Sequence, residues 1–224
     1  MRDERASDNL EGKVVVVTGA NGRLGRRMVR GFEAHGATVA AVVREAPETA
    51  SGGAAVFVAD VTDEASVDAC FGEIARRFGR LDALVHTVGM WEARPFLETP
   101  AADWERVMRV NLTSAFLCFR AAARAMRGRS GRLIGISSGQ GADRGRAGQA
   151  AYSAAKAGIV RLVEAVAEEF AAGGLTAHAV APSFIRYAED DPPGVAAEDL
   201  VALCRYLCTD AGAALNGAVL RAYG

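Results

Sequence analysis

Residues 13–28 read KVVVVTGANGRLGRRM, an apolar run that passes through a glycine-rich turn into a segment with helical periodicity. Gly19, Gly22 and Gly25 are spaced three residues apart at this junction. Glycine allows a sharp turn and a close approach to a ligand, and the free N–H groups at the start of a helix favour a phosphate. A tight turn that binds nothing could carry the same glycines. Between the first strand and the first helix of a parallel sheet, however, the pattern indicates a dinucleotide-binding turn.

The alternation of apolar runs and helical segments continues along the whole chain. Apolar runs predict strands at 13–19, 37–44, 54–60, 81–89, 131–138, 175–182 and 217–224. Helical periodicity predicts helices at 23–35, 63–78, 101–127, 153–172 and 196–208. Because the runs are continuously apolar, their strands should be buried on both faces. The order predicts a doubly wound α/β fold with a parallel seven-stranded sheet between helix layers, as a single domain at 12–224 after a flexible tail at 1–11.

Composition excludes several classes of function. Half of the 224 residues are apolar, enough for one substantial core, and the formal net charge of −1 predicts no general attraction to nucleic acid or to an anionic membrane. No apolar run approaches the roughly 18 residues of a membrane span, and the charged opening is unlike a secretory signal, so a cytoplasmic location is expected. Metal-ligand spacing is absent, so no metal is predicted. Reduced, mostly buried thiols are expected at Cys70, Cys118, Cys204 and Cys208.

The ends of the second and third strands bear on the choice of cofactor. A carboxylate after the second strand would bind the ribose diol of NAD, whereas a guanidinium there suits the 2′-phosphate of NADP. Arg44 occupies this position and Arg23 could add a second cation, so NADP(H) is preferred, while Glu45 keeps NAD(H) open. Asp60, which closes the third strand, is predicted to accept a hydrogen bond from the adenine amine. Its alternative role is to cap the next helix, which Thr62 or Asp63 could do as well.

The segment QAAYSAAKAG, residues 149–158, carries one phenol and one ammonium among small side chains. Tyr152 and Lys156 are four residues apart, so on a helix they project from the same face. An adjacent cation would stabilise a phenolate, and a free phenol with a pKa near ~10 is otherwise a poor base at neutral pH. Taken alone, the segment favours an amphipathic helix with a solvated lysine and a half-buried ring.

Six motifs in a fixed order extend these observations over nearly the whole chain. They are TGANGRLG (18–25), ADV (59–61), WERVMRVNLTSAF (104–116), GRLIGISS (131–138), YSAAK (152–156) and VAPSFI (180–185). In this order the chain resembles the short-chain dehydrogenase/reductase family from Lys13 to Gly224. The resemblance implies a Rossmann-type fold, hydride transfer with a nicotinamide cofactor, and a homodimer or homotetramer formed through the helical segments 113–126 and 157–170. Those helix faces could equally serve only to cover the sheet.

The resemblance also implies roles for individual residues. Tyr152 would be the general acid/base, and Lys156 would lower the pKa of its phenol and bind the nicotinamide ribose. Ser138, in preference to Ser137, would hydrogen-bond the substrate oxygen, and Asn111 would anchor a water molecule in the proton relay. Contacts to the cofactor are expected from Gly19, Asn21, Gly22, Arg23, Leu24, Gly25, Arg44, Asp60, Val61, Gly89, Tyr152, Lys156, Pro182 and Ile185.

The chain departs from the family pattern at several places. Its middle glycine stands at position 22 instead of 23, a spacing seen in the epimerase-like branch. HTVG (86–89) replaces the usual Asn-Asn-Ala-Gly, with His86 expected to be a structural hydrogen-bonding residue. The interval between Ser138 and Tyr152 is one residue longer than is common, which predicts a bulge or longer loop. The substrate lid is reduced to an irregular RYAEDDPPG (186–194), in which Tyr187 replaces a small threonine.

These features favour an NADP(H)-dependent carbonyl reductase or secondary-alcohol dehydrogenase. The short lid predicts a wide pocket for a bulky or carrier-bound substrate, or closure by another subunit. It also leaves open a catalytically weak NADP-binding sensor or assembly subunit. The glycine spacing leaves an epimerase or dehydratase as a further alternative. Substrate choice is expected to depend on Met90, Trp91, Gln140 and Tyr187.

Overall fold

The computed structural model describes residues 9–46 and 53–224. Its strands are β1 (Val14–Thr18), β2 (Thr38–Val43), β3 (Ala55–Val58), β4 (Ala83–His86), β5 (Gly131–Ile136), β6 (Leu175–Pro182), β7 (Ile185–Arg186), β8 (Val195–Ala196) and β9 (Val219–Ala222). Its α-helices are α1 (Arg23–Glu33), α2 (Glu64–Phe78), α3 (Ala101–Met108), α4 (Ser114–Ala125), α5 (Gly139–Ala142), α6 (Ala150–Glu169) and α7 (Ala197–Cys208). A π-helical turn, Arg109–Thr113, joins α3 to α4, and short 3₁₀ turns lie at Phe96–Glu98, Ala171–Gly173 and Ala211–Ala214.

Within the described residues, seven strands form one parallel sheet in the order β3-β2-β1-β4-β5-β6-β9. The strand order reverses between β1 and β4, where Thr18 lies beside His86 in the register. In open α/β sheets a ligand binds in the crevice beyond the carboxyl ends of the strands at this point. The predicted doubly wound α/β fold and its seven-stranded sheet are therefore confirmed.

Two apolar layers cover the faces of the sheet. Every residue of β1 is buried, and alternate valines belong to opposite layers: Val14 and Val16 to one, Val15 and Val17 to the other. The first layer includes side chains from α2, α4 and α6, and the second includes side chains from α1 and α7. This two-sided burial explains why the strands read as continuous apolar runs.

Three segments differ in secondary structure from the sequence prediction. The predicted helix at 101–127 is interrupted by the π-helical turn, and the longer loop before Tyr152 contains α5. The segment 186–194, predicted to be irregular, is held between the paired strands β7 and β8. Within it, one carboxylate oxygen of Asp191 accepts hydrogen bonds from the N–H groups of Tyr187 and Ala188.

Residues 1–8 of the predicted tail lie outside the described residues. Leu10, which the prediction also assigned to the tail, is fully buried in the same layer as α1. Its N–H donates to the carbonyl oxygen of His35, 2.9 Å away. The packed part of the chain thus includes residues on the N-terminal side of the predicted boundary at 12, because Leu10 fills a place in the core.

The described residues contain no helix that is both long enough and apolar enough to cross a membrane. The four cysteines are buried, and none forms a disulfide within this part of the chain. Burial raises the pKa of the Cys70 thiol to about 11 and that of the Cys208 thiol to about 12. The expectation of buried, reduced thiols agrees with this structure.

Candidate active site

A cleft of about 1010 Å³ lies at the carboxyl edge of the sheet, where the strand order reverses. It collects most of the residues that the sequence singled out. Those lining it are Gly19, Gly22, Arg23, Leu24, Gly25, Gly89, Met90, Trp91, Asn111, Ser138, Gln140, Tyr152, Lys156, Pro182, Ile185 and Tyr187. Four predicted cofactor contacts lie outside its lining: Asn21, Arg44, Asp60 and Val61.

The glycine turn has the shape that a diphosphate requires. Gly19 has a φ of 67°, which favours glycine, and a Cβ at Gly25 would collide with the carbonyl oxygen of Gly19. Gly22 precedes α1 without a side-chain cap from the described residues, and no acidic residue occupies the first turn. The first N–H groups of α1 therefore have no side-chain partner, and together with the positive end of the helix dipole they fit the diphosphate of a dinucleotide.

Arg23 ties the shortened lid segment to the start of α1. Its guanidinium carbon lies 4.0 Å from the centre of the Tyr187 ring, and its Nη2 lies 3.9 Å from a carboxylate oxygen of Asp191. Nη2 of Arg27 donates to the carbonyl oxygen of Tyr187 at 2.9 Å. Tyr187, which replaces the usual small threonine, therefore packs against the arginine of the glycine turn, and its side chain lines the cleft.

Arg44 and Asp60 lie beyond the cleft lining, after β2 and β3. The Arg44 side chain is 78% exposed, and its Nε is 3.6 Å from a carboxylate oxygen of Glu45. Hydrogen bonds from the backbone and side chain of Thr62 hold the pKa of Asp60 below its ordinary value, with a smaller contribution from Arg44. The helix-cap alternative for Asp60 is wrong, because Asp63 caps α2 by accepting from the Ser66 N–H at 2.8 Å.

Tyr152 and Lys156 project from one face of α6 into the cleft. Lys156 is only 5% exposed, so the alternative of a solvated surface lysine is wrong. Its Nζ donates to the carbonyl oxygen of Ile136 at 2.9 Å and lies 5.9 Å from the centre of the Tyr152 ring. The ammonium group retains two further N–H donors beside the phenol.

Burial shifts the pKa values of both groups toward their neutral forms. It raises the pKa of Tyr152, an effect that the nearby Ser138 hydroxyl opposes, and it lowers the pKa of Lys156 to about 8. The expected lowering of the phenol pKa is thus absent in the protein by itself, because desolvation of the phenolate outweighs the opposing hydrogen bond from Ser138.

The two adjacent serines point in different directions. The Ser137 hydroxyl donates to the backbone oxygen of Lys156 at 2.8 Å, so it joins β5 to α6. Ser138 lines the cleft, and its Oγ accepts from the N–H of Gln140 at 3.3 Å. The Ser138 hydroxyl lies beside the Tyr152 phenol, to which it hydrogen-bonds in the protein by itself.

Asn111 lies in the π-helical turn, a feature that the sequence did not reveal. Its Nδ2 donates to the carbonyl oxygens of Met90 and Val107, both at 3.0 Å, and its Oδ1 accepts from the Met90 N–H at 3.2 Å. A Cβ at Gly89 would lie 2.9 Å from this Oδ1 and 3.1 Å from Nζ of Lys156. Glycine at 89 therefore allows Asn111 and Lys156 to meet at the end of β4.

Comparison with known proteins identifies the family. Residues 13–190 match the model of the short chain dehydrogenase family. The chain belongs to this family. A dehydrogenase/reductase from Sinorhizobium meliloti 1021 has a similar crystal structure, with a TM-score of 0.88 at 26% identity over 99% of this chain and 98% of that one.

Relatives of the chain carry the names of reductases and of a dehydrogenase. A 3-oxoacyl-[acyl-carrier-protein] reductase of Synechocystis sp. is 38% identical over 79% of this chain and 75% of its own length. FabG of Escherichia coli K12, which has the same enzyme name, is 30% identical over 96% of this chain and 98% of its own length. Cis-4-hydroxycyclohexanecarboxylate dehydrogenase of Sinomonas cyclohexanicum is 39% identical over 77% of this chain and 73% of its own length. The protein is an oxidoreductase, an NAD(P)-dependent short-chain dehydrogenase/reductase.

His86 connects strands and helix beneath the site of this short-chain dehydrogenase. It is fully buried, with Nδ1 2.9 Å from Oγ1 of Thr18 and Nε2 3.1 Å from Oγ of Ser114. Because the Ser114 hydroxyl donates to the carbonyl oxygen of Val110, Nε2 of His86 must donate and Nδ1 must accept. Burial, with a smaller contribution from the charge of Lys156, lowers the pKa of His86 to about 3. The ring is neutral and structural, as the sequence suggested.

Several lining residues of the short-chain dehydrogenase escaped the sequence analysis. Thr87 donates its hydroxyl to the carbonyl oxygen of Thr18 at 2.7 Å and faces the glycine turn, while Tyr223 follows the last strand into the cleft. Tyr223 was detectable in principle, since β9 must end at the same sheet edge as the other strands. The remaining ones are Ile136, Ser137, Gly139, Asp143, Arg144, Arg146, Gln149, Ser183 and Phe184.

Proposed function

We propose that this short-chain dehydrogenase reduces a carbonyl group, or oxidises the corresponding secondary alcohol, with NADP(H). The observation that carries the proposal is the meeting of Tyr152, Ser138 and the buried Lys156 in one cleft that also contains the uncapped start of α1. A phosphate-binding turn and an acid/base phenol are both needed for this reaction, and one cleft holds both.

Each residue has a role that its contacts support. NADPH supplies a hydride to the carbonyl carbon when it is bound. Ser138 donates a hydrogen bond to the carbonyl oxygen, and Tyr152 transfers its phenolic proton to that oxygen as the hydride arrives. Lys156 uses its two remaining N–H donors to hold ribose hydroxyls, and its charge stabilises the resulting phenolate.

Asn111 acts mainly by positioning. Both amide hydrogens are already donated to protein carbonyl oxygens. A water molecule in the proton relay would therefore bind to the second lone pair of Oδ1 or to the backbone oxygen. The amide also holds Met90 beside the cleft through two hydrogen bonds.

The preference for NADP(H) rests on Arg44, with Arg23 as a second cation. Arg44 is the first residue after β2 and its guanidinium is accessible, so it can meet a 2′-phosphate. Arg44→Gln is expected to weaken NADPH binding about 10- to 100-fold, the worth of a charge-assisted hydrogen bond, and to leave NADH binding unchanged. Arg161→Gln, at an exposed site on α6, is the control in fluorescence titrations of both cofactors. Equal losses for the two cofactors would contradict the preference.

The substrate is inferred to be bulky or carrier-bound. The cleft is large, and only the short segment 186–194 lies where the family carries a longer lid. Relatives named as 3-oxoacyl-[acyl-carrier-protein] reductases act on thioesters held by a carrier, which agrees with an open cleft. A 3-oxoacyl thioester is accordingly the first substrate class to test.

Assembly into a homodimer or homotetramer and a cytoplasmic location remain proposals. Phe116 on α4 is 43% exposed and Trp104 on α3 is 39% exposed, which provides apolar surface for a second copy. Light scattering on the purified protein measures the assembly directly. A monomer at micromolar concentration would mean that these helices cover the sheet and do nothing more.

Tyr152→Phe tests the reaction. The purified enzyme is expected to oxidise NADPH in the presence of a ketone, and the variant should lower kcat/KM by about 10²- to 10⁴-fold with its NADPH affinity nearly intact. Tyr206→Phe, on the partly exposed surface of α7, is a matched control. Full activity of Tyr152→Phe would show that the proton comes from elsewhere.

A catalytically weak NADP sensor is the second candidate. It is favoured by the contacts of Tyr187 with Arg23 and Arg27, which tie the short lid to α1. Tight NADPH binding without turnover across a broad panel of carbonyl compounds would support the sensor and reject the enzyme.

A further inference from the structure

The loop after β5 brings two unpaired arginines to the substrate side of the cleft. Arg144 and Arg146 are exposed, line the cleft, and form no ion pair with any described residue. The nearby arginines differ in this respect. Arg94 and Arg106 both bind the carboxylates of Glu92 and Asp103.

Asp143, the acidic residue of this loop, is paired with groups from the end of the chain. Nε of Arg221 donates to Oδ1 of Asp143 at 2.6 Å, and the Tyr223 hydroxyl donates to Oδ2. Hydrogen bonds from Tyr223 and Arg221 hold the pKa of Asp143 below its ordinary value, so it remains a carboxylate. The charge of Arg144 makes a smaller contribution to that pKa, and the hydrogen bonds of this carboxylate are to Arg221 and Tyr223 instead of Arg144 or Arg146.

The loop is braced against the catalytic helix. A Cβ at Gly141 would lie 2.6 Å from the backbone nitrogen of Ala157, so the loop backbone packs directly on α6. The Arg146 N–H donates to Oγ of Ser153 at 3.4 Å, and the Asp143 N–H donates to the carbonyl oxygen of Gly139 at 2.9 Å. The two cations are therefore carried on a supported segment between Ser138 and Tyr152.

The positive charges lining the cleft come from different segments of the chain. Arg23 lies at the glycine turn and Lys156 beneath the phenol, where the proposed function assigns them to the cofactor. Arg144 and Arg146 remain for the substrate. An excess of positive charge on a cleft wall raises the local concentration of an anionic ligand.

Gln140 adds a polar group on the same wall. Its Oε1 is buried and has no hydrogen-bond partner among the described residues. The two ends of a glutamine amide are assigned by their hydrogen bonds, so this amide can also present N–H groups to an acceptor. A buried amide oxygen without a partner favours a polar ligand at this point.

We propose that the carbonyl substrate carries an anionic group, a carboxylate or a phosphate, which Arg144 and Arg146 bind while Ser138 and Tyr152 engage the carbonyl. This inference rests on the proposed function and names the substrate class of the same site. The anion would be either the carboxylate of a keto acid or the phosphate of a carrier's prosthetic arm. The two sources share one chemistry, because a guanidinium binds both through paired N–H donors.

The test compares charged and neutral substrates in the double variant Arg144→Gln/Arg146→Gln. The carboxylate pair is 5-oxohexanoate and its methyl ester, and the phosphate pair is acetoacetyl-phosphopantetheine and acetoacetyl-pantetheine. For the preferred anion, kcat/KM should fall about 10- to 100-fold, mainly through KM, while the matched neutral compound is unaffected. The wild-type KM for that anion should rise with salt, since exposed charges are screened.

The control is the double variant Arg30→Gln/Arg127→Gln, which removes the same charge at exposed positions outside the cleft lining. It should leave the KM for the anion within about twofold, as expected for a distant, screened charge. In Arg144→Gln/Arg146→Gln the enzyme should no longer prefer the charged over the neutral member of one pair. That pair shows whether the natural anion is a carboxylate or a phosphate. Equal kcat/KM for charged and neutral members of both pairs in the wild type would overturn the proposal.

A binding measurement separates this inference from the proposed function. One outcome is that the enzyme reduces neutral ketones and loses this activity in Tyr152→Phe, while kcat/KM for the anionic substrates is unchanged in Arg144→Gln/Arg146→Gln. In that case only the anion site is wrong. If no carbonyl is reduced, the proposed function is wrong, and calorimetry of the NADP⁺ complex with 5-oxohexanoate and phosphopantetheine decides the anion site. Binding of either that weakens at least tenfold in Arg144→Gln/Arg146→Gln supports the site, and no difference between the two proteins refutes it.

Discussion

Replacing Lys156 by methionine is expected to stabilise the cofactor-free protein at pH 7 while removing its activity. Lys156 is 5% exposed, and burial lowers its pKa from 10.5 to about 8. Because one pKa unit corresponds to about 1.4 kcal/mol, burial of the charge opposes folding by about 3 kcal/mol at neutral pH. Methionine keeps a stem of similar length without the charge. The substitution also removes the hydrogen bond from Lys156 to the carbonyl oxygen of Ile136, which lowers the expected stabilisation by about 1 kcal/mol. The net gain should be about 2 kcal/mol in the free energy of unfolding.

The stabilisation by Lys156→Met should disappear as the pH rises. Below pH 8 the lysine is protonated in both the folded and the unfolded chain, so the burial cost is fully present. Between about pH 8 and 10.5 the unfolded chain still binds a proton that the folded protein has released, so the wild type becomes more stable as pH increases. Above this window the variant retains only the loss of the hydrogen bond.

Urea unfolding of both proteins without cofactor, followed by far-UV circular dichroism at pH 7 and pH 10, measures this difference. Comparing the variant with the wild type at each pH cancels the titration of groups that they share. Lys13→Met is the control, since Lys13 is the other lysine of the chain and its side chain is 34% exposed. Lys13→Met should not give the stabilisation at pH 7 that Lys156→Met gives, because Lys13 is not buried. The reasoning would be refuted if the Lys156→Met protein were less stable than the wild type at pH 7. It would also be refuted if the difference in free energy of unfolding between the two proteins were the same at pH 7 and at pH 10.

Two further predictions concern the dinucleotide side of the cleft. In Gly25→Ala the new methyl group would lie 2.8 Å from the carbonyl carbon of Gly19 and closer still to its oxygen, so the turn must move. Because a hydrogen bond to a charged group contributes about 1.5–3 kcal/mol, loss of one from the turn to the diphosphate should lower NADPH affinity by calorimetry at least about tenfold. Unchanged affinity would place the diphosphate elsewhere. Asp63→Ala should lower the free energy of unfolding by about 1 kcal/mol through loss of the α2 cap and leave NADPH binding intact. Asp60→Ala removes the acceptor of two hydrogen bonds from Thr62, so it should lower stability as well, but it alone should weaken NADPH binding. Equal NADPH affinities of the two variants in fluorescence titrations would contradict the assignment of Asp60 to the adenine.

Local patterns in the sequence were sufficient for the fold and for half of the site. The valines of β1 read as an uninterrupted apolar run because strands buried on both faces need no polar face, and the glycine turn follows directly. Tyr152 and Lys156 are four residues apart on one helix, so their shared face is a consequence of helix geometry. Their place at a sheet edge follows from the order of strands and helices, which parallel topology constrains to few arrangements.

Other properties depend on residues that are distant in sequence, and only the tertiary structure determined them. The raised pKa of Tyr152 and the lowered pKa of Lys156 arise from burial, which no local pattern measures. The π-helical turn that points Asn111 at Met90 depends on contacts across the cleft. Arg144 and Arg146 stand close to Asp143 in the sequence, and only the structure shows that this acid pairs with Arg221 on the last strand, the observation behind the proposed anion site. The physical reason is that desolvation and ion pairing depend on which distant residues the fold brings together, whereas periodicity and turn chemistry are properties of neighbouring residues.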